Sequence, residues 1–78
     1  MKLHGSLQAN LEAALLSARR LRGQRVYPDT LAYWIALAAA AWSEVAASSG
    51  PQSSILTRLA ADLDIEIAAH RDVADKAL

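Results

Sequence analysis

The sequence predicts an all-α fold, a small up-down-up bundle of three helices. The apolar fraction is 54% and rich in Ala and Leu, Phe is absent, and this composition favours helices over strands. Apolar residues recur at helical spacing in three segments, and short stretches with Gly or Pro separate them. We expect helices at about 7–22, 29–48 and 52–77, in one domain spanning 1–78 with a frayed N-terminus at 1–5.

The first predicted helix has clear start and stop signals. Ser6 is suited to the N-cap, because its hydroxyl can accept from a free amide of the first turn. Gly23 is suited to the left-handed position that ends many helices. Between them, apolar residues spaced by three and four form one stripe: Leu7, Leu11, Ala14, Leu15, Ala18 and Leu21.

Prolines mark the other two helices. Pro28 fits the first turn of the second helix, and Gly50 and Pro51 end that helix and open the third. The third helix carries a broad apolar stripe of Ile55, Leu56, Leu59, Leu63, Ile67, Val73, Ala74 and Ala77. Short connections make neighbouring helices antiparallel. We therefore expect the arginines near the end of helix 1 to lie beside Asp72 and Asp75.

The segment 31–47 is the most informative part of the chain, because Glu44 is its only charged residue. A helix that is apolar nearly all round is buried nearly all round. One side carries the bulk, with Leu31, Trp34, Ile35, Ala38, Trp42 and Val45. The far side is a strip of small residues, Ala32, Ala36, Ala39, Ser43 and Ala47, with Tyr33, Leu37 and Glu44 beside it.

Two short flanking helices offer too little surface to cover this segment, so we predict self-association, with a homodimer favoured. A chain of this size buries only about 60% of its unfolded surface. With no Cys in the chain, packing or oligomerisation must supply the stability. The predicted interface consists of Ala32, Tyr33, Ala36, Leu37, Ala40, Ser43 and Glu44. Two alternatives remain: alanines that simply favour helix on a half-exposed face, and a different protein partner. The end of helix 3, from Ile67 onward, is also expected to need cover from another chain.

A basic segment raises the possibility of anion or nucleic-acid contact. Arg19, Arg20, Arg22 and Arg25 lie close together, and guanidinium groups bind phosphate in a bidentate manner. The chain is nonetheless neutral overall and has none of the common nucleic-acid-binding motifs. Nucleic-acid binding is therefore the alternative function.

Glu66 and His70 are the only ionisable pair within the apolar stripe of helix 3. Their i, i+4 spacing would let the side chains touch on one helix face. Such a pair could act as a base or as half of a metal site, but the di-metal bundles use Glu and His at i, i+3. We therefore expect a structural ion pair or a solvated edge.

Enzyme signatures are absent, and we expect no catalytic residues, no cofactor and no metal. The run 31–42 is shorter than the roughly 20 residues of a membrane span, which argues against a membrane partner. These observations predict a cytoplasmic, non-enzymatic interaction or regulatory protein that binds another macromolecule, such as an adaptor, inhibitor, antitoxin-like protein or accessory subunit.

Overall fold

The computed structural model describes residues 6–47 and 50–76, which form three α-helices. Helix α1 spans Leu7–Arg20, α2 spans Pro28–Ala47 and α3 spans Pro51–Lys76. Helix α3 packs along both of the others, whereas α1 and α2 contact each other over a smaller region. The all-α three-helix bundle is therefore confirmed. The expected frayed residues 1–5 and the expected helix ends at Ser48 and Ala77 lie outside the described residues.

Helix α1 begins as predicted and ends two residues early. The Ser6 hydroxyl accepts a hydrogen bond from the Ala9 amide at 3.1 Å, which caps the first turn. At the other end, Leu21 is the C-cap residue, and the Arg22 amide donates to the Arg19 carbonyl at 3.2 Å. This i to i+3 hydrogen bond tightens the last turn. Gly23 then takes a left-handed conformation with φ of 82°. Arg22 consequently lies in the turn and not in the helix.

Helices α2 and α3 each begin at a proline, one residue before the predicted start. The carbonyl of Tyr27 accepts from the amides of Thr30 and Leu31 at 3.0 and 3.2 Å. The carbonyl of Gly50 accepts from both the amide and the hydroxyl of Ser53. Pro fits the first helical position because its missing N–H would have had no partner there.

The core is built from small and medium-sized side chains of all three helices. Leu11 and Leu63 are the largest side chains that are fully buried, and alanines fill much of the space between the helices. Small residues let helix axes approach closely, so that dispersion contacts are numerous. The buried apolar residues are Leu11, Ala14, Leu15, Ala18, Trp34, Leu37, Ala38, Ala41, Leu56, Ala60, Leu63 and Ile67.

The expectation that α3 needs outside cover from Ile67 onward is wrong for its first turn. Both Ile67 and His70 are buried. The indole of Trp34 packs against the His70 ring, with 4.9 Å between ring centroids. Helix α2 supplies part of this cover through Trp34, and α1 also reaches this turn, since the Ala18 carbonyl oxygen lies 2.9 Å from His70 Nε2.

Candidate interaction surface

Helix α2 exposes a broad surface that carries no charge between Thr30 and Ser43. We call this surface the outer face of α2. Its centre is formed by exposed residues that are all apolar except one serine: Ala32, Ala36, Ala39, Ser43 and Ala46. Tyr33 and Ala40 flank the centre on one side, and Ile35 and Trp42 flank it on the other. The exposed positions of α1 and α3, in contrast, include several Arg, Lys, Asp and Glu side chains.

Most of the predicted interface residues do lie on or beside this surface, but Leu37 does not. Ala32, Tyr33, Ala36, Ala40, Ser43 and Glu44 are exposed. Leu37 is only 6% exposed and belongs to the core cluster. The expectation that Leu37 faces outward is therefore wrong.

The error arises because the buried sector of α2 is not centred on its bulkiest side. The buried residues of α2 are Trp34, Leu37, Ala38 and Ala41. At about 100° per residue, the centre of this buried sector lies roughly 60° around the helix from the centre of the side with the largest side chains. Helix α1 lies on the Leu37 side of α2, so Leu37 is buried. Ile35 and Trp42 therefore lie at the edge of the outer face and not in the core. Ile35 remains 41% exposed and Trp42 remains 38% exposed.

Trp42 marks the edge of the outer face that adjoins α3. Its indole Nε1 donates a hydrogen bond to Asp64 Oδ2 at 2.8 Å. An indole N–H requires a partner wherever it is removed from water, so a rim position beside a carboxylate suits it. The exposed part of the ring is left available for an apolar contact.

Glu44 and Tyr33 mark the opposite edge, the one that adjoins α1. Glu44 lines a surface cleft together with Ser6, Leu7 and Gln8 at the start of α1 and with Leu56 of α3. A carboxylate near a helix N-terminus lies at the positive end of the helix dipole. Tyr33 is 48% exposed on the same side of α2. The outer face thus has an apolar edge and a polar edge.

Arg19 of the basic segment lies next to acids of α3, but these are not the acids that the topology predicted. Arg19 Nη2 lies 3.6 Å from Asp62 Oδ2, and Arg19 Nε lies 3.9 Å from Glu66 Oε2. Asp72 instead pairs with Lys76 at 3.1 Å, one turn away on α3. For Arg19 the expectation is wrong because the short α1 ends beside the middle of the 26-residue α3.

Glu66 is the buried centre of this arrangement, with only 2% of its surface exposed. Arg22 donates to it twice, from Nε to Oε1 at 3.0 Å and from Nη2 to Oε2. The hydrogen bond and the charge of Glu66 raise the pKa of Arg22 above its ordinary value. A bidentate guanidinium can satisfy both oxygens of a buried carboxylate, which removes much of the cost of burial. The pair fastens the end of α1 to α3.

His70 is also buried, and it bonds to α1 and not to Glu66. His70 Nε2 lies 2.9 Å from the carbonyl oxygen of Ala18. A carbonyl only accepts, so Nε2 carries the proton and donates. His70 Nδ1 is buried without a hydrogen-bond partner. The expected pair of Glu66 with His70 is therefore replaced by two separate contacts from α3 to α1.

Over residues 6–47 and 50–76, no group of three or more His, Asp or Glu side chains is placed to hold a metal ion. Arg20 and Arg25, the other two members of the basic segment, are exposed.

By length and composition, α2 also meets the minimum for a membrane-spanning helix. An 18-residue window within Pro28–Ala47 has a mean hydropathy of 1.3, and 22% of that window is buried inside the bundle. The core helix of a soluble protein meets the same criterion, so this single helix is weak evidence for a membrane. The span is nevertheless longer than the run 31–42 that the sequence pattern emphasised.

Sequence reasoning missed Ile35, Trp42 and Ala46 as members of this surface. A signal for Trp42 was present, since an indole needs a polar partner and Asp64 is the kind of partner that a helix rim provides.

Comparison of the chain with protein-family models, with curated proteins and with solved structures found no match.

Proposed function

We propose that this chain is a small, soluble, cytoplasmic interaction protein that self-associates through the outer face of α2 and acts by binding another macromolecule. One observation carries the proposal, namely the absence of charge from the centre of an exposed helix face that still displays Tyr33, Ile35 and Trp42. Contiguous exposed apolar surface of this kind marks interaction sites in soluble proteins. The role would be that of an adaptor, inhibitor, antitoxin-like protein or accessory subunit, without catalysis.

The energetics favour a modest affinity. Full burial of a large apolar side chain stabilises by about 1.5–3 kcal/mol. Tyr33, Ile35 and Trp42 are between 38% and 48% exposed, so that covering the remainder of each contributes roughly 1 kcal/mol. Association must offset a loss of translational and rotational freedom of about 4–15 kcal/mol. The two terms nearly cancel, so we expect weak association, with dissociation constants no tighter than the high micromolar range.

Nucleic-acid binding through the basic segment is less well supported. Two of its four guanidinium groups, those of Arg19 and Arg22, already lie against Asp62 and Glu66. The carboxylates also lower the positive potential that a phosphate would meet. Binding of a fluorescent DNA duplex that weakens steeply with salt would favour this alternative over ours.

Sedimentation equilibrium tests the self-association. From about 10 µM to about 1 mM the mean mass should rise from 8.3 kDa toward twice that value. Ala39→Glu places a charge at the centre of the outer face and should keep the protein monomeric over the same range. Ala13→Glu is the matched control, because it adds the same charge at an exposed alanine of α1 and should associate like the wild type.

Three outcomes would contradict the proposal. One is a monomer at every concentration, and another is equal loss of association in both variants. The third is flotation of the wild type with neutral phosphatidylcholine vesicles that Ala39→Glu abolishes, which would assign the face to a membrane.

A further inference from the structure

We infer that the occupant of the outer face is the same face of a second copy, with the two α2 helices antiparallel and related by a two-fold axis between Ala38 and Ala39. This inference rests on the proposed self-association and specifies its geometry. It follows from where the large and polar side chains lie on the two edges of the face.

The apolar edge is symmetric about that point. Ile35 and Trp42 lie on the edge next to α3, at equal distances along the helix from the midpoint between Ala38 and Ala39. A two-fold axis perpendicular to the helix keeps each edge on its own side and reverses the direction of the chain. Ile35 therefore meets Trp42 of the partner subunit, and Trp42 meets the partner's Ile35. The dimer thus contains two equivalent contacts, in each of which a half-exposed Ile35 and a half-exposed Trp42 cover each other.

The polar edge has the same centre of symmetry. Tyr33 and Glu44 lie on the edge next to α1 and are also equally distant from the midpoint between Ala38 and Ala39. The same axis brings the Tyr33 hydroxyl toward the carboxylate of the partner's Glu44, again twice. A phenolic O–H donating to a carboxylate is a charge-assisted hydrogen bond. Both edges thus become complementary in one arrangement.

A parallel pair lacks this complementarity. Its two-fold axis runs along the helices and sets the apolar edge of one copy against the polar edge of the other. Trp42 would then lie near Glu44 of the partner subunit, and the helix dipoles would point the same way. Because the centre of the face carries no charge, neither the antiparallel nor the parallel pair brings like charges together there. The face can therefore pack against a second copy of itself.

The outer face of α2 is small for a protein interface. A helix of 20 residues is about 30 Å long and 10–12 Å wide, so one face presents roughly 300 Å² in projection. A stable interface buries about 800 Å² on each partner. The face is smaller than a stable interface requires, so the pair is weak and cross-linking at high protein concentration is needed to trap it.

Single-cysteine variants test the geometry directly, because the chain contains no Cys. In the antiparallel pair, Ala39→Cys lies near the axis and should form a disulfide with its own copy. Two copies of Ala32→Cys would be roughly 20 Å apart along the helix, well beyond the ~7 Å Cα separation that a disulfide tolerates. Ala32→Cys alone should therefore stay uncross-linked, whereas a mixture of Ala32→Cys with Ala46→Cys should yield the mixed disulfide dimer.

The outcomes separate this inference from the proposed function. Self-linking of Ala32→Cys as fast as that of Ala39→Cys would establish a parallel pair and overturn the inference. Sedimentation as a dimer without α2 cross-links in any variant would overturn it too, while leaving self-association intact. A monomer in sedimentation would overturn both. Ala13→Cys on α1 serves as the control for random collision and should link no faster than denatured protein.

Discussion

At the scale of single residues, the end of α1 depends on a side chain from another helix. The Ala18 carbonyl would ordinarily accept from the Arg22 amide, but that amide bonds to Arg19 because the helix tightens there. His70 replaces the missing donor at 2.9 Å, in a place where Ala18 has no exposed surface. His70 therefore acts as a cap for a helix to which it does not belong.

Replacing His70 by Leu should destabilise the fold, since the buried Ala18 carbonyl would lose its donor. Leaving such a group unsatisfied costs about 1–3 kcal/mol, and each kcal/mol lowers Tm by about 4–8 °C in a domain of this size. His70→Gln should lose less, because its side-chain amide can donate from a similar position. Thermal melts followed by circular dichroism measure both. Equal Tm losses in the two variants would show that the hydrogen bond is not the cause.

The sequence identified the two buried polar residues but not their partners. Glu66 and His70 stand out because they interrupt an apolar stripe, and i, i+4 spacing suggests a pair. Their actual partners, Arg22 and Ala18, are 44 and 52 residues away in the chain. A contact over that separation depends on the register of α1 against α3. Local periodicity carries no information on this register.

At the scale of elements, the sequence predicts where helices begin better than which face they bury. The Ser6 cap, the left-handed Gly23 and the initiating Pro28 are local effects, and all three are found. The rotation of α2 is not local, because it depends on where α1 lies. Side-chain size along α2 therefore predicted, wrongly, that Leu37 is exposed and that Trp42 lies in the core.

Gly23 and Gly50, the loop glycines within residues 6–47 and 50–76, provide a direct test of the turn after α1. Gly23 has φ of 82°, whereas Gly50 does not have a positive φ, and a Cβ added at either position would meet no atom within 4 Å. Gly23→Ala should cost about 1 kcal/mol or somewhat more through backbone strain alone. Gly50→Ala should be near neutral and is the matched control. Urea unfolding compares them, and equal effects would contradict the assigned role of Gly23.

At the scale of the whole molecule, the bundle is closed on one side of α2 and open on the other. Helix α3 is covered by two neighbours, but α2 contacts α1 only over a small region. The sequence predicted this imbalance from the excess of apolar residues in 31–47. It could not predict which residues form the exposed surface, because that depends on the rotation of α2 about its own axis. In the observed orientation Leu37 is buried, and Ile35 and Trp42 are exposed.

If the outer face is covered by a second copy, stability must depend on protein concentration. A dimer that forms only from folded chains stabilises them by mass action. Raising the total concentration about tenfold through the dissociation constant should add about 0.5 kcal/mol, because the free monomer rises much less than tenfold, and this corresponds to a Tm increase of about 2–4 °C. Differential scanning calorimetry at increasing concentration measures this shift. Ala39→Glu should melt at one temperature throughout, equal to that of the wild type at high dilution. A wild-type Tm that does not change with concentration would mean that the outer face of α2 faces water in the working protein.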